Sequence, residues 1–221
     1  RRVAGAAVAE ALADAGWDVR EVLVHDPAEG RSPICDDHTR QALAEPVGRP
    51  DVIVPVGAGV VSDLGKWIAF DLGLPFAPFA TAASMNGYAS SNVAPTLRGV
   101  KCLTYARPPE AVAAAPSVLA EAPRELTAAG LGDVLAKSAS SADWRMNHLL
   151  FGDYYCARSV GLVAEIEPLY LDRPQAVRRR ESAAIEALFQ ALLLTGVAMT
   201  LAETSAPASG GATPAGWPAP R

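Results

Sequence analysis

Apolar positions change their spacing along the chain, and the changes mark its elements. Val3, Ala7, Val8, Ala11 and Leu12 recur at helical spacing, so Arg1 to Gly16 reads as an amphipathic helix. Trp17 to His25, with VREVLV at its centre, alternates in the manner of a strand. Pro27 to Pro33 is a loop and Asp36 to Ala44 a helix. Asp51 to Val56 is an apolar, β-branched run and predicts a buried strand. A glycine turn at Gly57 to Gly59, a helix over Val60 to Leu72 and a second apolar run over Phe76 to Ala80 follow. Gly99 to Tyr105 and Ala111 to Ala115 predict further strands, the last leading into a turn at Pro116. Strand, glycine turn, helix, strand is the order of a βαβ unit, the building block of a doubly wound nucleotide site.

Beyond Pro123 the strand signals stop. Helix patterns cover Arg124 to Ala129, Asp133 to Leu150 and Pro174 to Leu201, so an α/β half gives way to an all-helical half near residue 120. No internal repeat is visible. The segment Ser205 to Arg221 (SAPASGGATPAGWPAPR) is rich in Pro, Gly and Ala and predicts no packed element. The chain opens on a helix with no strand before it, and both ends read as those of a piece of a longer design.

Composition narrows the classes of function. Of 221 residues half are apolar, which is enough for a sizeable core; Lys+Arg at 19 against Asp+Glu at 24 gives a formal charge of −5. Nucleic-acid binding calls for a basic stripe, which this balance opposes. Arg178, Arg179 and Arg180 sit beside Glu181 and Glu186 and read as a solvated face. Cys35, Cys102 and Cys156 are scattered and odd in number, pointing to reduced thiols and a cytoplasmic location. No stretch is an unbroken apolar span, since even Ala183 to Leu201 carries Glu186 and Gln190. The start, RRVAGAAVAEALADAG, is amphipathic with Glu10 and Asp14 inside it and does not read as a signal peptide.

Three motifs carry candidate chemistry. Gly57-Ala58-Gly59, with Asp63 and Lys66, lies between a strand and a helix, where glycine lets the backbone approach a pyrophosphate at a helix N-terminus. A plain tight turn, with Asp63 complementing the helix dipole in the first turn, fits the same residues. Thr81 to Ser90 (TAASMNGYAS) gathers hydroxyls and an amide past the end of a strand, where open α/β sheets bind ligands; an Asn-Gly turn with satisfied hydroxyls is the alternative. Gly130-Leu131-Gly132-Asp133 reads as a helix N-cap, with Asp133 and Lys137 as a surface i, i+4 pair. His25, His38 and His148 show no ligand spacing, so no metal site can be assembled from spacing alone. A G-x-S-x-G elbow is absent, and Cys156 has no histidine close in sequence.

In order and spacing, GAGVVSDLGK, TAASMNGYAS and AGLGDVLAKSASSADW, continued by HLLFGDYYC and TGVAMTLAETSAPASG, resemble the sn-glycerol-1-phosphate dehydrogenase family of the iron-containing alcohol dehydrogenase and dehydroquinate synthase superfamily. The resemblance implies an N-terminal Rossmann-like α/β domain with a parallel sheet (1–120), part of an all-helical C-terminal domain (121–204) and an irregular tail (205–221). It implies reduction of dihydroxyacetone phosphate to sn-glycerol 1-phosphate with NADH or NADPH, assisted by a divalent metal, usually zinc, in a cleft between the domains. By position, Gly59, Val60, Val61, Ser62 and Asp63 would contact the cofactor pyrophosphate. Thr81, Ser84 and Ser90 would hold the nicotinamide side, Asn86 and Asp133 would meet the substrate, and Asp133 would bind the metal. No residue is assigned a purely catalytic role. The partners implied are a small phosphorylated substrate and, in some form, a second copy of the chain.

The chain differs from that family in three places. Asn86 stands where a carboxylate is common. The strand bearing the acidic residue that reads the adenine ribose is expected upstream of Arg1, and a histidine-bearing region is expected after PASG, where ATPAGWPAPR follows Gly211. A truncation or shifted reading frame would account for that tail. Two further readings are a non-catalytic member lacking the histidine ligands and a dehydroquinate-synthase-like lyase; the Met85-Asn86-Gly87-Tyr88 loop favours the glycerol-phosphate branch.

Overall fold

The computed structural model describes residues 2–26 and 32–211. Most of the expected loop at Pro27 to Pro33 and the tail beyond Gly211 lie outside the described residues. Helix α1 (Arg2–Asp14) leads by way of residues 17–26 to α2 (Asp37–Val47), whose N-cap Asp36 accepts the Thr39 N–H at 2.7 Å.

The expected strand at Trp17 to His25 does not form: residues 18–26 take part in no ladder among the described residues. Strand pattern without a neighbouring strand leaves backbone groups unpaired. The segment is held by side chains instead. Val22 and Val24 pack with Leu43, Leu64 and Ile68, and the Arg20 guanidinium donates to the Val47 carbonyl.

The sheet is parallel. β1 (Val56–Gly57) pairs with β2 (Phe79–Ala80), and β2 with β7 (Ala113–Ala114). Each strand is shorter than its apolar run. Ile53 nevertheless bridges Phe76, and the ladder runs on through Phe79 N–H to Pro55 O (2.9 Å) and Thr81 N–H to Gly57 O (3.2 Å). Between β1 and β2 the chain crosses over through α3 (Gly59–Leu72), ended by Gly73 in the left-handed conformation.

Gly99 to Tyr105, read as one strand, is two. β4 (Thr96–Leu97) and β5 (Val100–Lys101) form a hairpin whose turn residues Arg98 and Gly99 both have positive φ (50° and 79°), as a two-residue hairpin turn requires. β3 (Asn92–Val93) pairs separately with β6 (Thr104–Tyr105).

All described elements after β7 are helices: α4 (Pro116–Ala120), α5 (Arg124–Leu135), α6 (Lys137–Phe151), α7 (Ala157–Leu171), α8 (Pro174–Arg179), α9 (Ser182–Ala202) and α10 (Ala206–Ser209). Pro116 begins a helix rather than a turn, at a position where its missing N–H costs nothing. The single helix expected over Asp133 to Leu150 is divided at Ala136, and α7 was not expected. The run Pro174 to Leu201 breaks at Arg180, which caps α8 at φ 59°. Inside the expected irregular tail, α10 is one ordered turn with Ala206 and Pro207 buried.

Helix α9 is apolar around most of its circumference, as suits a helix with a wide buried face, and only Ser182, Ala183, Glu186, Gln190 and Leu201 along it are exposed. By length and composition it could cross a membrane, but here Ile185, Leu188, Ala191 and Leu192 are wholly buried at the centre of the main core, with Tyr88, Leu119, Val134 and Tyr170 around them. The fold is therefore an α/β unit with a parallel sheet followed by helices.

Candidate functional site

The site lies where β1 and β2 end. The turn after β1 passes through Ala58, the N-cap of α3, which offers no side-chain cap. The first main-chain bond of the helix is Ser62 N–H to Ala58 O at 3.1 Å, so the N–H groups of Gly59, Val60 and Val61 have no partner among the described residues. Three free N–H groups at the start of a 14-residue helix form an anion-binding end. Asp63 stands in the second turn of α3 rather than the first, so it does not serve the helix dipole as the sequence suggested. Burial holds its carboxyl above the ordinary carboxylate value, opposed by Lys66 and by the Ala94 N–H.

Facing the turn is the loop from Thr81 to Ser91. Met85 lies against Gly59, its sulfur 3.4 Å from where a Cβ on that glycine would be. Lys66, from α3, holds the far side of this loop. Its ammonium is wholly buried and donates to the carbonyls of Gly87, Ser90 (2.8 Å) and Asn92 (3.1 Å). Burial pushes its pKa down to about 8, with Asp63 opposing the shift. Lys66 is thus a clamp on the loop.

The residues proposed from sequence fall into two groups. Thr81 and Ser84 are partly buried at the start of the loop, Ser84 beside the Tyr88 hydroxyl. Ser62 and Ser90 are wholly enclosed. The Ser90 hydroxyl donates to Asn92 Oδ1 at 2.7 Å, and the Ser62 hydroxyl has no hydrogen-bond partner among the described residues.

Asn86 and Asp133, 47 positions apart in sequence, are brought into direct contact. The Asn86 N–H donates to Asp133 Oδ2 at 2.9 Å, and its carboxamide Nδ2 reaches Oδ1 at 3.4 Å. Asp133 is not an N-cap. It lies in the last turns of α5, with Gly130 and Gly132 in the same helix. Nor is its pairing with Lys137 a surface feature. Lys137 is 3% exposed, its ammonium 2.6 Å from Asp133 Oδ1 and 3.1 Å from the Ala208 carbonyl. The PASGG segment is thereby tied to the site, aided by Ser140 Oγ on Ala208 O and by the Gly211 N–H on Asp143.

Several supports were not read from the sequence. Tyr88 is fully buried, donates its hydroxyl to Ala82 O at 2.9 Å and meets Phe189 edge-on, and burial pushes its pKa up to about 12. Thr200 donates to the Ala89 carbonyl at 3.2 Å. Gly196 and Thr200, two small residues one turn apart in an apolar helix, were the available signal of a close backbone approach.

A glycine turn with free N–H groups at the end of a parallel strand, faced by a polar loop, is the place where open α/β sheets take their ligands. Residues 1–123 match the sequence pattern of the family described as iron-containing alcohol dehydrogenase, and the chain belongs to that family. Relatives include the glycerol-1-phosphate dehydrogenase [NAD(P)+] of Bacillus velezensis, 34% identical over 208 residues, 94% of this chain and 53% of that protein. The protein of the same name from Pyrococcus furiosus is 31% identical over 87% of this chain and 52% of its own length. The chain thus spans about half the length of the relatives it matches. Among solved structures, glycerol dehydrogenase from Schizosaccharomyces pombe superposes with a TM-score of 0.74 over 90% of this chain and 52% of that one, at 18% identity. Sulfoacetaldehyde reductase from Bifidobacterium kashiwanohense, in complex with NAD+, gives 0.68 over 90% and 57%, at 20% identity. These two likenesses establish the fold.

The zinc implied by the family resemblance can be tested against the donors present. A catalytic zinc takes about three protein ligands. Among the described residues no three of His, Cys, Asp and Glu converge, and both Asp133 oxygens are engaged by Lys137 and Asn86. His148 is occupied elsewhere, with Nδ1 2.6 Å from Asp153 O and its ring stacked on Tyr155. The described residues do not fit a zinc centre.

Proposed function

We propose that this chain forms the nucleotide-binding half, and one wall of the substrate site, of an NAD(P)-dependent oxidoreductase of the glycerol-1-phosphate dehydrogenase type. Its substrate pair would be dihydroxyacetone phosphate and sn-glycerol 1-phosphate. The observation that carries the reading is the set of three free N–H groups at Gly59, Val60 and Val61, facing the Met85–Gly87 loop and, beyond it, Asp133. The names of the relatives supply the substrate.

In this reading the N–H groups of Gly59, Val60 and Val61 would hold the pyrophosphate, since free N–H groups and the helix dipole favour an anion. The missing Cβ at Gly59 lets the phosphates approach the main chain. Thr81 and Ser84, at the mouth of the loop, orient the nicotinamide side. Asn86 and Asp133 form the wall that the small substrate meets. A dinucleotide held there would supply hydride to the substrate carbonyl carbon. Asp133 is held in place by Lys137 and the Asn86 N–H. No step is assigned to a metal, because the described donors do not fit one.

Titration of NADH and NADPH against the purified chain, followed by nicotinamide fluorescence, tests the reading. Saturable binding is expected, weakened at least tenfold, about 1.4 kcal/mol, in Gly59→Val. A folded chain that binds neither dinucleotide would overturn the proposal.

A further inference from the structure

The chain has three asparagines, Asn86, Asn92 and Asn147, and only Asn86 is followed by glycine. At that dipeptide the structure combines three circumstances. The Gly87 N–H donates to no acceptor among the described residues. The Asn86 carboxamide has a single long contact, 3.4 Å to Asp133 Oδ1, so little holds it against rotation. Asn86 and Gly87 are only partly buried, so water reaches them, and they sit in a turn. Lys66 grips the Gly87 carbonyl, which belongs to the following peptide unit and leaves the Gly87 nitrogen untied.

The other two asparagines are placed differently. Asn92 is buried in β3 and its Oδ1 accepts the Ser90 hydroxyl at 2.7 Å. Asn147 lies within α6, where the following N–H is part of the helix.

We propose that Asn86 is a site of spontaneous deamidation. The Gly87 main-chain nitrogen attacks Asn86 Cγ and forms a new C–N bond, closing a five-membered imide. The carboxamide nitrogen leaves as ammonia, taking up the proton that the Gly87 nitrogen gives up. Water then adds to one of the two imide carbonyls and breaks its C–N bond. The product is aspartate at position 86 with the original backbone, or isoaspartate with the backbone rerouted through the side chain. Water is the only co-reactant, and nothing is oxidised or reduced.

The position decides the consequence. A donor that faces Asp133 becomes a carboxylate, so acceptor meets acceptor and like charge meets like charge with Lys137 as the shared cation. Isoaspartate adds an atom to the main chain of a loop held at Lys66, Gly130 and Gly196. Either product loosens the loop on the Asp133 side. The inference is independent of the activity proposed above.

The test is peptide mapping of the native protein after timed incubation in mildly alkaline buffer. Trypsin releases the segment from Trp67 to Arg98 with Asn86 and Asn92, and the segment from Met146 to Arg158 with Asn147. Mass spectrometry with chromatographic separation of the two acids is expected to show conversion at position 86, in both forms, outpacing the other two asparagines severalfold. The same incubation in urea gives the rate for the unfolded chain. A native protein whose Asn86 converts no faster than Asn92, while the unfolded chain converts at position 86, overturns the proposal. So does a product in native protein confined to Asn147. As a second measurement, Asn86→Asp is expected to show faster hydrogen exchange over residues 84–91 than the unaged protein; unchanged exchange would remove the proposed consequence.

Discussion

Gly196 of α9 lies against the main chain of Asn86 so closely that a Cβ there would be 2.4 Å from the Asn86 carbonyl oxygen. Gly130 of α5 makes the matching approach from its own side, with a Cβ position 2.0 Å from the Ala83 carbonyl oxygen. Backbone oxygens of a clamped loop cannot swing away as a flexible side chain would. Gly130→Ala and Gly196→Ala are each expected to cost about 1–3 kcal/mol as overpacking. Urea unfolding checks this: midpoints equal to wild type would show that the loop yields.

Asp133 and Lys137 are unequally exposed, at 26% and 3%, and removal of one or the other should have unequal effects. Asp133→Ala leaves a buried ammonium with the Ala208 carbonyl as its remaining partner, and a loss of about 3 kcal/mol is expected. Lys137→Met leaves a carboxylate with some access to water and should cost less. The double variant should lose less than the two single losses added together. Strict additivity in a double-mutant cycle would mean that the pair is not coupled.

Lys66 sets a pH signature. Burial lowers its pKa from 10.5 to about 8 in the folded protein. Between those values the unfolded chain binds the extra proton, so stability attributable to this group rises with pH from about 8 upward and is flat below it. The full effect is at most about 3 kcal/mol. Urea midpoints measured on both sides of pH 8 should climb more steeply in wild type than in Lys66→Met. The variant will be less stable throughout, since three carbonyls lose their donor. Parallel pH dependence in the two proteins would show that Lys66 keeps an ordinary pKa.

The cysteines should differ in reactivity. Cys156 caps the N-terminus of α7 and receives the Ser159 hydroxyl at 3.3 Å, and that hydrogen bond lowers its pKa. Cys35 is buried, which pushes its thiol up to about 12. Brief treatment with iodoacetamide at neutral pH should label Cys156 and spare Cys35. Equal labelling of the two on a folded sample would contradict this.

The crossover from Asp51 to Ala80 was legible because its strands are continuous apolar runs bounded by glycines, and the structure keeps that order as β1, α3 and β2. The strand expected at Trp17 to His25 was misread, since alternation reports a half-buried extended segment and cannot report whether another strand lies beside it. Helix α7 went unread because Gly161 and Pro168 interrupt its pattern, though Val160 and Val163 still hold helical spacing. At the site, the motifs named segments that the fold brings together, but not the contacts made within them. That Lys66 grips three carbonyls, and that Asp133 meets Asn86, are facts of tertiary placement that local sequence cannot carry.

The hydrogen bond from Thr200 to Ala89 joins residues 111 positions apart, and Gly196 reaches the same loop from the same helix. A ribosome delivers the loop long before it delivers α9. During synthesis the sheet, α3 and Lys66 are available early, while the loop waits with one wall missing until nearly all of the described chain has emerged. Assembly of the site therefore waits on α9, and a nascent chain stopped before that helix would hold the glycine turn and its facing loop without the wall behind the loop.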